Sequence, residues 1–193
     1  MELFQNTRLK IGKAILSKKI ATKKRKINFS DFSLVKKIAI VWDASKTEEF
    51  QYISRFHQKM HERNIDVKVF GYLPGKNLPD QYTAIRYLTC MRRKELDFFY
   101  LPVSSEANAF INNQFDVLID INFKKLLPLQ YITSFSNAAF KVGLFEAETV
   151  YSPFDLMIEL KNRVDVEVYL VQVIQYLEMI NSGTVKTAKK QSH

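Results

Sequence analysis

The sequence predicts an α/β protein with a single doubly wound, mainly parallel sheet of about five or six strands, helices on both faces, and a basic N-terminal helix in front. Short apolar runs alternate along the chain with longer segments of helical period, an order that produces βαβ units with parallel strands. The 193 residues contain no internal repeat and no long linker, so we expect one folded domain.

The composition is that of a globular protein, with 47% hydrophobic and 25% charged residues. The longest apolar runs, such as VYLVQVIQYL, are far shorter than the ~20 residues needed to cross a bilayer. No uninterrupted apolar segment follows the basic N-terminus, so we expect no secretory signal. Cys90 is the only cysteine, which excludes an internal disulfide and favours a reducing cytoplasm.

The net charge of +9 is concentrated at the two ends of the chain. Residues 1–28 hold nine Lys and Arg against the single acid Glu2, whereas residues 29–183 have a net charge of −2. We therefore divide the chain into a basic N-terminal helical arm (1–28), an α/β domain (29–183) and a basic flexible tail (184–193). Basic ends of this kind are drawn to anionic surfaces.

The sequence of the arm predicts a helix over residues 3–21. This helix has two narrow apolar stripes instead of one broad apolar face. One stripe consists of Phe4, Ile11 and Ile15, and the other, on nearly the opposite side, of Leu9, Leu16 and Ile20. This pattern favours a helix held between its own domain and a protein partner, because a membrane-surface helix needs a single broad apolar face. The following TKKRK predicts an exposed link.

The domain opens with a βαβ unit. A buried strand, KKIAIVW, ends at Asp43, and we expect Ser45 to cap the next helix with Glu48 completing a capping box. The apolar face of this helix consists of Phe50, Ile53, Phe56 and Met60. Asn64 suits the helix end, and DVKVFGYL forms the second strand, parallel to the first.

The later elements continue the alternation. Further strands are expected at ELDFFYLP, FDVLIDIN, AAFKVGLF and FDLMIEL. Ser104 and Ser105 cap a helix in SSEANAFINNQ, and another helix begins at about Leu126 with Pro128 in its first turn. The last helix, VDVEVYLVQVIQYLEMINSG, ends at Gly183. Its inward residues are Val166, Tyr169, Leu170, Val173 and Leu177.

The loops argue against common nucleotide-binding motifs. Ligands of doubly wound sheets bind beyond the carboxyl ends of the strands, and the first such loop, WDASKTEE, has no glycine. Dinucleotide fingerprints and P-loops need clustered glycines, whereas the five glycines of this chain are scattered. We therefore expect no NAD, FAD or ATP binding through these motifs.

A ligand rim at the strand ends is one hypothesis. Asp43, Ser45, Asp120 and Asn122 follow two predicted strands, and a carboxylate pair there could hold Mg²⁺ or act as acid and base. The alternative is that Asp43 caps a helix and Asp120 bonds neighbouring loop amides. We assign no catalytic residue, cofactor or metal from the sequence.

Two other groups of residues favour structural roles. His57 and His61 share a helix face, but the metalloprotease pattern needs glutamate where this chain has Gln58, and the sequence shows no third ligand. Cys90 lies beside cations in LTCMRRK without a neighbouring histidine, so we expect no nucleophile there.

The order of several blocks resembles a family of small bacterial α/β proteins of unknown function, over roughly residues 30 to 182. The blocks are GKNLPDQY, FDVLIDIN, LPLQYITSFSNAAFKVG, FDLMIEL and VIQYLEMIN. The resemblance implies a Rossmann-like fold and a bacterial cytoplasmic protein, and it carries over no functional residue. The segment from FDVLIDIN to SNAAFKVGLF is also similar to the N-terminal half of heptosyltransferase-like glycosyltransferases, which implies a shared half-fold without transferase activity.

The leading functional hypothesis is a non-catalytic protein whose arm docks on RNA or on a ribonucleoprotein such as the ribosome. The cations expected to bind phosphates are Arg8, Lys10, Lys13, Lys18, Lys19, Lys23, Lys24, Arg25 and Lys26. The alternatives are a small-molecule site or enzyme at the strand ends near Asp43 and Asp120, and peripheral association with an anionic membrane. A basic terminus that only aids solubility is the remaining interpretation.

Overall fold

Six parallel strands form one sheet in this computed structural model. The structure describes residues 2–23, 25–29, 31–75, 78–145, 152–159 and 165–190. For residues 2–3 and 181–190 it describes the backbone alone. The strands are β1 (Lys37–Asp43), β2 (Asp66–Leu73), β3 (Leu88–Arg92), β4 (Val117–Asp120), β5 (Phe140–Leu144) and β6 (Leu156–Ile158). The α-helices are α1 (Glu2–Thr22), α2 (Phe50–Glu62), α3 (Asp80–Thr83), α4 (Ser105–Asn112), α5 (Leu127–Phe135) and α6 (Val166–Lys190).

The strand order β3-β2-β1-β4-β5-β6 confirms the doubly wound sheet. The chain builds outward from β1 to β3 and then returns to the other side of β1 at β4. Ligands of such sheets bind at the carboxyl edge, next to this reversal. The ends of β1 and β4 therefore mark the first place to look for a site.

Helices cover both faces of the sheet, because its strands direct apolar side chains alternately to the two sides. On one face, α2 and α6 pack over Trp42 and bury Ile53 and Tyr169 completely. On the other face, α4 and α5 pack over Phe70 and bury Ile132. Among the residues described, no helix is long and apolar enough to cross a bilayer.

The first helix, α1, lies outside these two layers and packs on α5. Leu16 and Ile20 are buried there against Leu101 and Leu127. One of the two predicted stripes of α1 is therefore covered by the protein's own domain. In the other stripe, Phe4 is 78% and Ile11 42% exposed, whereas Ile15 is half-buried.

A glycine permits the close approach of α1. A Cβ atom at Gly12 would overlap the carbonyl oxygen of Phe99 and lie 2.8 Å from Leu127 Cδ2. Real Cβ atoms do not approach other atoms so closely, so any side chain at this position must displace the helix.

The start of α2 differs from the prediction, whereas its end agrees. Asp43 Oδ1 accepts hydrogen bonds from the Ser45 amide at 3.2 Å and the Ser45 hydroxyl at 2.6 Å, so Ser45 does not cap the helix. A 3₁₀ turn at Thr47–Glu49 leads into α2 instead. At the other end, Asn64 has a φ of 59°, and its amide donates to the His61 carbonyl at 2.9 Å, as in a Schellman motif.

The third strand is not where the sequence predicts it. β3 contains Cys90, whereas the segment ELDFFYLP forms a loop. Asp97 Oδ1 accepts hydrogen bonds from the amides of Phe99 at 2.8 Å and Leu101 at 2.9 Å, and Tyr100 has a φ of 64°. A carboxylate that bonds to the amides just after it stabilises a turn, so this segment cannot continue as a strand.

The last helix extends further than the sequence predicts. α6 passes through Gly183 and ends at Lys190, so the predicted end at Gly183 is wrong. Glycine inside a helix costs only about 1 kcal/mol relative to alanine, and the alanine and lysines that follow favour helix. The predicted inward residues of this helix, Val166, Tyr169, Leu170, Val173 and Leu177, are all buried.

The substitution Gly12→Val tests the docking of α1. We expect it to lower the free energy of unfolding by about 1–3 kcal/mol in urea, because the new side chain overlaps Phe99 and Leu127. It should also increase tryptic cleavage within α1. Ala14→Val is the matched control, since Ala14 is exposed on the same helix and should cost only a few tenths of a kcal/mol. Equal losses in the two variants would contradict the packing.

Candidate functional site

A cavity of about 350 Å³ opens at the carboxyl ends of β4 and β5, with α1 forming one of its walls. We call it the β4–β5 cavity. Its volume falls in the range of ~300–1,000 Å³ that is typical of ligand pockets. A second cavity of about 390 Å³ lies between α2 and α6, where charged side chains pair with each other, as Arg63 does with Glu178 at 2.7 Å.

Asp120 forms part of the floor of the β4–β5 cavity and is only 9% exposed. Its Oδ1 accepts hydrogen bonds from the Asn122 amide at 3.0 Å and from Asn122 Nδ2 at 2.6 Å. Its Oδ2 accepts one from the Thr133 hydroxyl of α5 at 2.7 Å. The carboxylate therefore ties the end of β4 to α5 beneath the cavity.

Asn122 presents a buried acceptor at the same place. Its Nδ2 donates to the Val41 carbonyl at 3.0 Å as well as to Asp120, and because both partners are acceptors the amide orientation is fixed. The other end of the amide, Oδ1, is buried and receives no hydrogen bond from any described residue. A buried acceptor left in this way costs about 1–3 kcal/mol.

The four predicted rim residues do not form one site. Asp120 and Asn122 line the β4–β5 cavity, whereas Asp43 and Ser45 lie outside its lining. Asp120 bonds the loop amide that follows its strand, as the alternative interpretation expects. Asp43 instead bonds Ser45 and caps neither the 3₁₀ turn nor α2, so that part of the alternative is wrong. A catalytic use of this rim stays a prediction.

Three lysines line the cavity. They are Lys13 of α1 and Lys124 and Lys125 of the loop before α5, and all three are exposed. Asp120 is the single acid among the described lining residues, so the lining contains more positive than negative side chains.

The opposite wall is apolar. Phe154 contributes its ring, and Leu144 and Met157 lie beside it in the lining. The ring packs on β5 at Gly143, where an added Cβ would overlap it. Glycine at this strand position thus gives the aromatic ring its place against the sheet.

A buried lysine lies next to the cavity floor. The Lys141 side chain is fully enclosed, and its Nζ donates hydrogen bonds to the carbonyls of Thr133 at 2.6 Å and Ser134 at 3.1 Å. These carbonyls end α5, where the helix dipole favours a cation. Our sequence analysis missed this residue, although a lysine inside the apolar run AAFKVGLF was a visible signal.

The surroundings of Lys141 disfavour its charged form. Burial, and to a smaller extent the nearby cations Arg25 and Lys23, lower the pKa of this ammonium group to about 7, while Asp155 acts in the opposite direction. Lys141 therefore changes charge in the folded protein near neutral pH, far below the ordinary lysine pKa of about 10.4.

Arg8 of the arm binds the loop on which α1 docks. Its Nε donates to the Phe98 carbonyl at 2.6 Å. Its guanidinium lies 4.0 Å from the ring centroid of Phe98 and 4.7 Å from that of Tyr100. This cation is therefore used within the protein itself.

The link after α1 also contacts the domain. Lys23 donates to the Phe135 carbonyl, and Arg25 donates to the carbonyls of Ala138 at 3.3 Å and Ala139 at 3.1 Å and pairs with Asp155. The prediction of an exposed link is therefore wrong at Lys23 and Arg25, because the end of α5 offers carbonyl oxygens and Asp155 offers a carboxylate. Burial, with a smaller contribution from Arg25, lowers the pKa of Lys23.

Five of the other predicted phosphate-binding cations are exposed at the surface of the arm. The exposed ones are Lys10, Lys13, Lys18, Lys19 and Lys26. Lys19 Nζ also lies 5.6 Å from the ring centroid of Tyr131. Lys24 is outside the described residues. The arm thus divides into cations that hold it to the domain and cations that face the solvent.

The histidines and the cysteine are placed as follows. His57 stacks on Tyr87 with ring centroids 3.7 Å apart, and His61 lies 6.3 Å from His57. Burial is the main cause that raises the pKa of the Cys90 thiol to about 12, so the reactive thiolate is scarce at neutral pH. Within the described ranges, no group of three or more His, Cys, Asp or Glu side chains is placed to hold a metal ion.

The variant Lys141→Met tests the buried lysine through the pH dependence of stability. Because the folded-state pKa of about 7 lies below the unfolded value, the unfolded chain binds more protons between them, and stability rises with pH there. Between pH 7 and 9, the free energy of unfolding of the wild type minus that of the variant should therefore increase by up to about 1.4 kcal/mol per pH unit.

Urea unfolding at half-unit pH intervals measures this difference. Lys37→Met is the control, since Lys37 is exposed at the start of β1 and its removal should leave the pH dependence unchanged. Parallel stability curves for the wild type and Lys141→Met would show that Lys141 titrates normally.

Comparisons with known proteins identify a family but no activity. No curated protein matches the chain. The model of a family of unknown function, DUF6913, matches residues 8–180. This range covers most of α1 as well as the whole sheet. The chain therefore belongs to the DUF6913 family of unknown function.

Proposed function

We propose that the protein binds RNA through the exposed lysines of the N-terminal arm (1–28), with the α/β domain as the platform that holds α1. The observation that carries the proposal is the segregation of charge on the arm. Residues 3–28 contain nine Lys and Arg and no Asp or Glu, and five of these cations are exposed. Glu2 is the single acid of the whole arm, so an external polyanion is the natural partner of the exposed lysines.

The rigid attachment of α1 supports this function. Leu16 and Ile20 are buried, Gly12 permits close packing, and Arg8 and Arg25 bond to the domain at the two ends. A surface that is ordered before binding loses less conformational freedom when the ligand arrives. The 21 residues of α1 span about 30 Å, which is long enough for several phosphate contacts.

The size of the electrostatic contribution follows from counterion release. Each phosphate contact to a single strand lowers the logarithm of the affinity by about 0.7 per decade of salt. Four such contacts would weaken binding roughly fifty-fold between 50 and 200 mM salt. Binding of this kind is steeply salt-dependent and has little sequence preference, as expected of a protein that docks on a ribonucleoprotein.

An anionic membrane is the competing partner for the same lysines, each of which would contribute about 1 kcal/mol near the surface. The apolar residues of α1 favour RNA over the membrane. Leu16 and Ile20 are buried in the domain, and among the described side chains of α1 the exposed large hydrophobic ones are Phe4 and Ile11. Two such side chains make a much smaller apolar face than a membrane-surface helix uses.

We place this function in the bacterial cytoplasm, with ribosomal RNA as the first partner to test. The single cysteine supports a reducing compartment, and its raised pKa protects it from oxidation there. We also propose that the segment from FDVLIDIN to SNAAFKVGLF shares its fold with one half of the heptosyltransferase-like glycosyltransferases, without their activity.

The triple variant Lys10→Glu, Lys18→Glu, Lys26→Glu tests the proposal. All three lysines are exposed and lie outside the lining of the β4–β5 cavity. We expect the RNA affinity at 50 mM salt to fall at least about tenfold and the salt slope to decrease by about 2. The measurements are fluorescence anisotropy with a labelled 20-nucleotide RNA and co-sedimentation with ribosomes over a salt series.

The matched control is Lys37→Glu, Lys59→Glu, Arg86→Glu, which makes the same change in net charge at exposed positions on the domain. Equal losses of RNA affinity in the two triple variants would show that total charge, and not the lysines of the arm, determines binding. If the wild-type protein binds neither RNA nor ribosomes at low salt, the RNA proposal is wrong. Binding to acidic vesicles in that case would establish the membrane alternative.

A further inference from the structure

We propose that Phe98, together with Arg8, forms a stacking site for an unpaired nucleobase of single-stranded RNA. This inference rests on the RNA-binding function proposed above, and it adds a contact to the bases that the exposed lysines do not provide. The site belongs to a group of two aromatic rings and two guanidinium groups where α1 meets the loop 97–101. We call this group, which consists of Arg8, Arg93, Phe98 and Tyr100, the aromatic–arginine cluster.

The contacts within the aromatic–arginine cluster are close. The guanidinium carbon of Arg8 lies 4.0 Å from the ring centroid of Phe98 and 4.7 Å from that of Tyr100. The guanidinium carbon of Arg93 lies 4.8 Å from the Tyr100 centroid, and its Nη2 donates a hydrogen bond to the Tyr100 hydroxyl at 3.2 Å. Unpaired RNA bases stack on both of these kinds of flat group, aromatic rings and guanidinium planes.

Phe98 presents its ring to the solvent. The residue is 62% exposed, although the Arg8 guanidinium lies over the ring and the Phe99 ring lies against it with centroids 5.3 Å apart. A single exposed hydrophobic residue is common on protein surfaces. Here the exposed ring is in contact with a cation, so a base that covers Phe98 also brings its phosphates close to a positive charge.

The loop 97–101 holds the Phe98 ring in place before a ligand arrives. Asp97 Oδ1 accepts a hydrogen bond from the Phe99 amide at 2.8 Å, and Arg8 Nε donates one to the Phe98 carbonyl at 2.6 Å. Tyr100 has a φ of 64°, a left-handed conformation that is unfavourable for a bulky side chain and that the surrounding contacts must maintain. A ring fixed in this way loses less conformational freedom when a base binds.

The two arginines of the cluster keep a net positive charge. Arg8 bonds to a carbonyl oxygen and Arg93 to a hydroxyl, and neither of these neutral groups cancels the charge of a guanidinium. Among the described residues, neither arginine pairs with a carboxylate. Lys10, two residues after Arg8, and Lys94, next to Arg93, are exposed. A base stacked on Phe98 therefore has cations nearby for its phosphates, as in other single-strand binding sites.

The exposed ring selects the single strand among the possible ligands. The bases of a duplex are stacked on one another, so their faces are not accessible to Phe98. A membrane-surface site needs a broad apolar face, whereas Phe98 is the exposed large hydrophobic residue of the loop 97–101. Stacking also tolerates all four bases, which agrees with the low sequence preference expected of the lysines.

The variant Phe98→Ala tests the stacking site in the full-length protein. The probes are the labelled RNA strand used above and the duplex of the same sequence, measured by fluorescence anisotropy at low salt. We expect Phe98→Ala to weaken single-strand binding at least about fivefold and to change duplex binding by no more than about twofold, because only the single strand offers a base for stacking. Phe98→Tyr keeps an aromatic ring and should bind the single strand as the wild type does.

Tyr176→Ala is the matched control for the loss of an exposed ring. Tyr176 is 45% exposed on α6, which packs on the face of the sheet opposite to α5 and therefore far from the aromatic–arginine cluster. We expect this variant to change the affinity for either RNA by no more than about twofold.

The variant Phe98→Trp gives a direct readout of stacking. Trp42 is the single tryptophan of the chain and is fully buried, so the variant adds an exposed indole to a protein whose native indole lies in the core. A base stacked on an indole quenches its fluorescence. We therefore expect the single strand to quench Phe98→Trp and to leave the emission of Tyr176→Trp unchanged.

The outcomes separate this inference from the RNA-binding function on which it rests. If the wild type binds RNA and Phe98→Ala binds the single strand equally well, the stacking site is wrong and binding by the lysines stands. Equal losses for single strand and duplex would also overturn it, because they would show that Phe98 only supports the docking of α1. If the wild type binds neither RNA, both proposals are wrong. Binding to acidic vesicles that is lost in Phe98→Ala would then assign the cluster to a membrane surface.

Discussion

The docking of α1 on α5 is the contact on which both the placement of the arm's lysines and the β4–β5 cavity depend. Leu16 and Ile20 bury one stripe of the helix, and Gly12 allows its backbone to approach Phe99 and Leu127. This contact holds the exposed lysines of α1 at the surface, and it closes one wall of the β4–β5 cavity. A helix that detached would scatter the lysines and open the cavity at the same time.

The cations of the arm have two different tasks, and their surroundings separate them. Arg8, Lys23 and Arg25 bond to backbone carbonyls of the domain, and Arg25 also reaches a carboxylate. These hydrogen bonds to the domain make the three side chains part of the docking. The exposed lysines lie at the surface, where an anion can approach them.

The fold was predictable because it depends on local patterns. The strand DVKVFGYL agrees with β2 residue for residue, and Asn64 ends its helix in the conformation expected. The errors occurred where one side chain redirected the backbone. The Asp97 carboxylate accepts hydrogen bonds from the amides that follow it and so makes an apolar run into a loop. The Ser45 hydroxyl donates to Asp43, whereas the sequence predicts that it caps a helix. Such choices depend on competing hydrogen bonds that periodicity does not record.

The site was predictable only in part. Asp120 and Asn122 could be placed at a strand end, because a strand has a direction and the sheet has an edge. The cavity also needs Lys13, Phe154 and the buried Lys141 near its floor, which come from segments that are far apart in sequence. Only tertiary packing brings these segments together, so no local pattern in the sequence could reveal the cavity or its lining residues.

The position of α1 in the chain has a consequence for synthesis. Arg8 and Phe98 are separated by 90 residues, and a ribosome adds roughly 5–20 residues per second. The helix is therefore made on the order of ten seconds before its docking surface exists. During that interval both apolar stripes and all the cations of α1 are uncovered beside the translating ribosome. The contact between the first helix and the domain therefore joins segments that are made far apart in time.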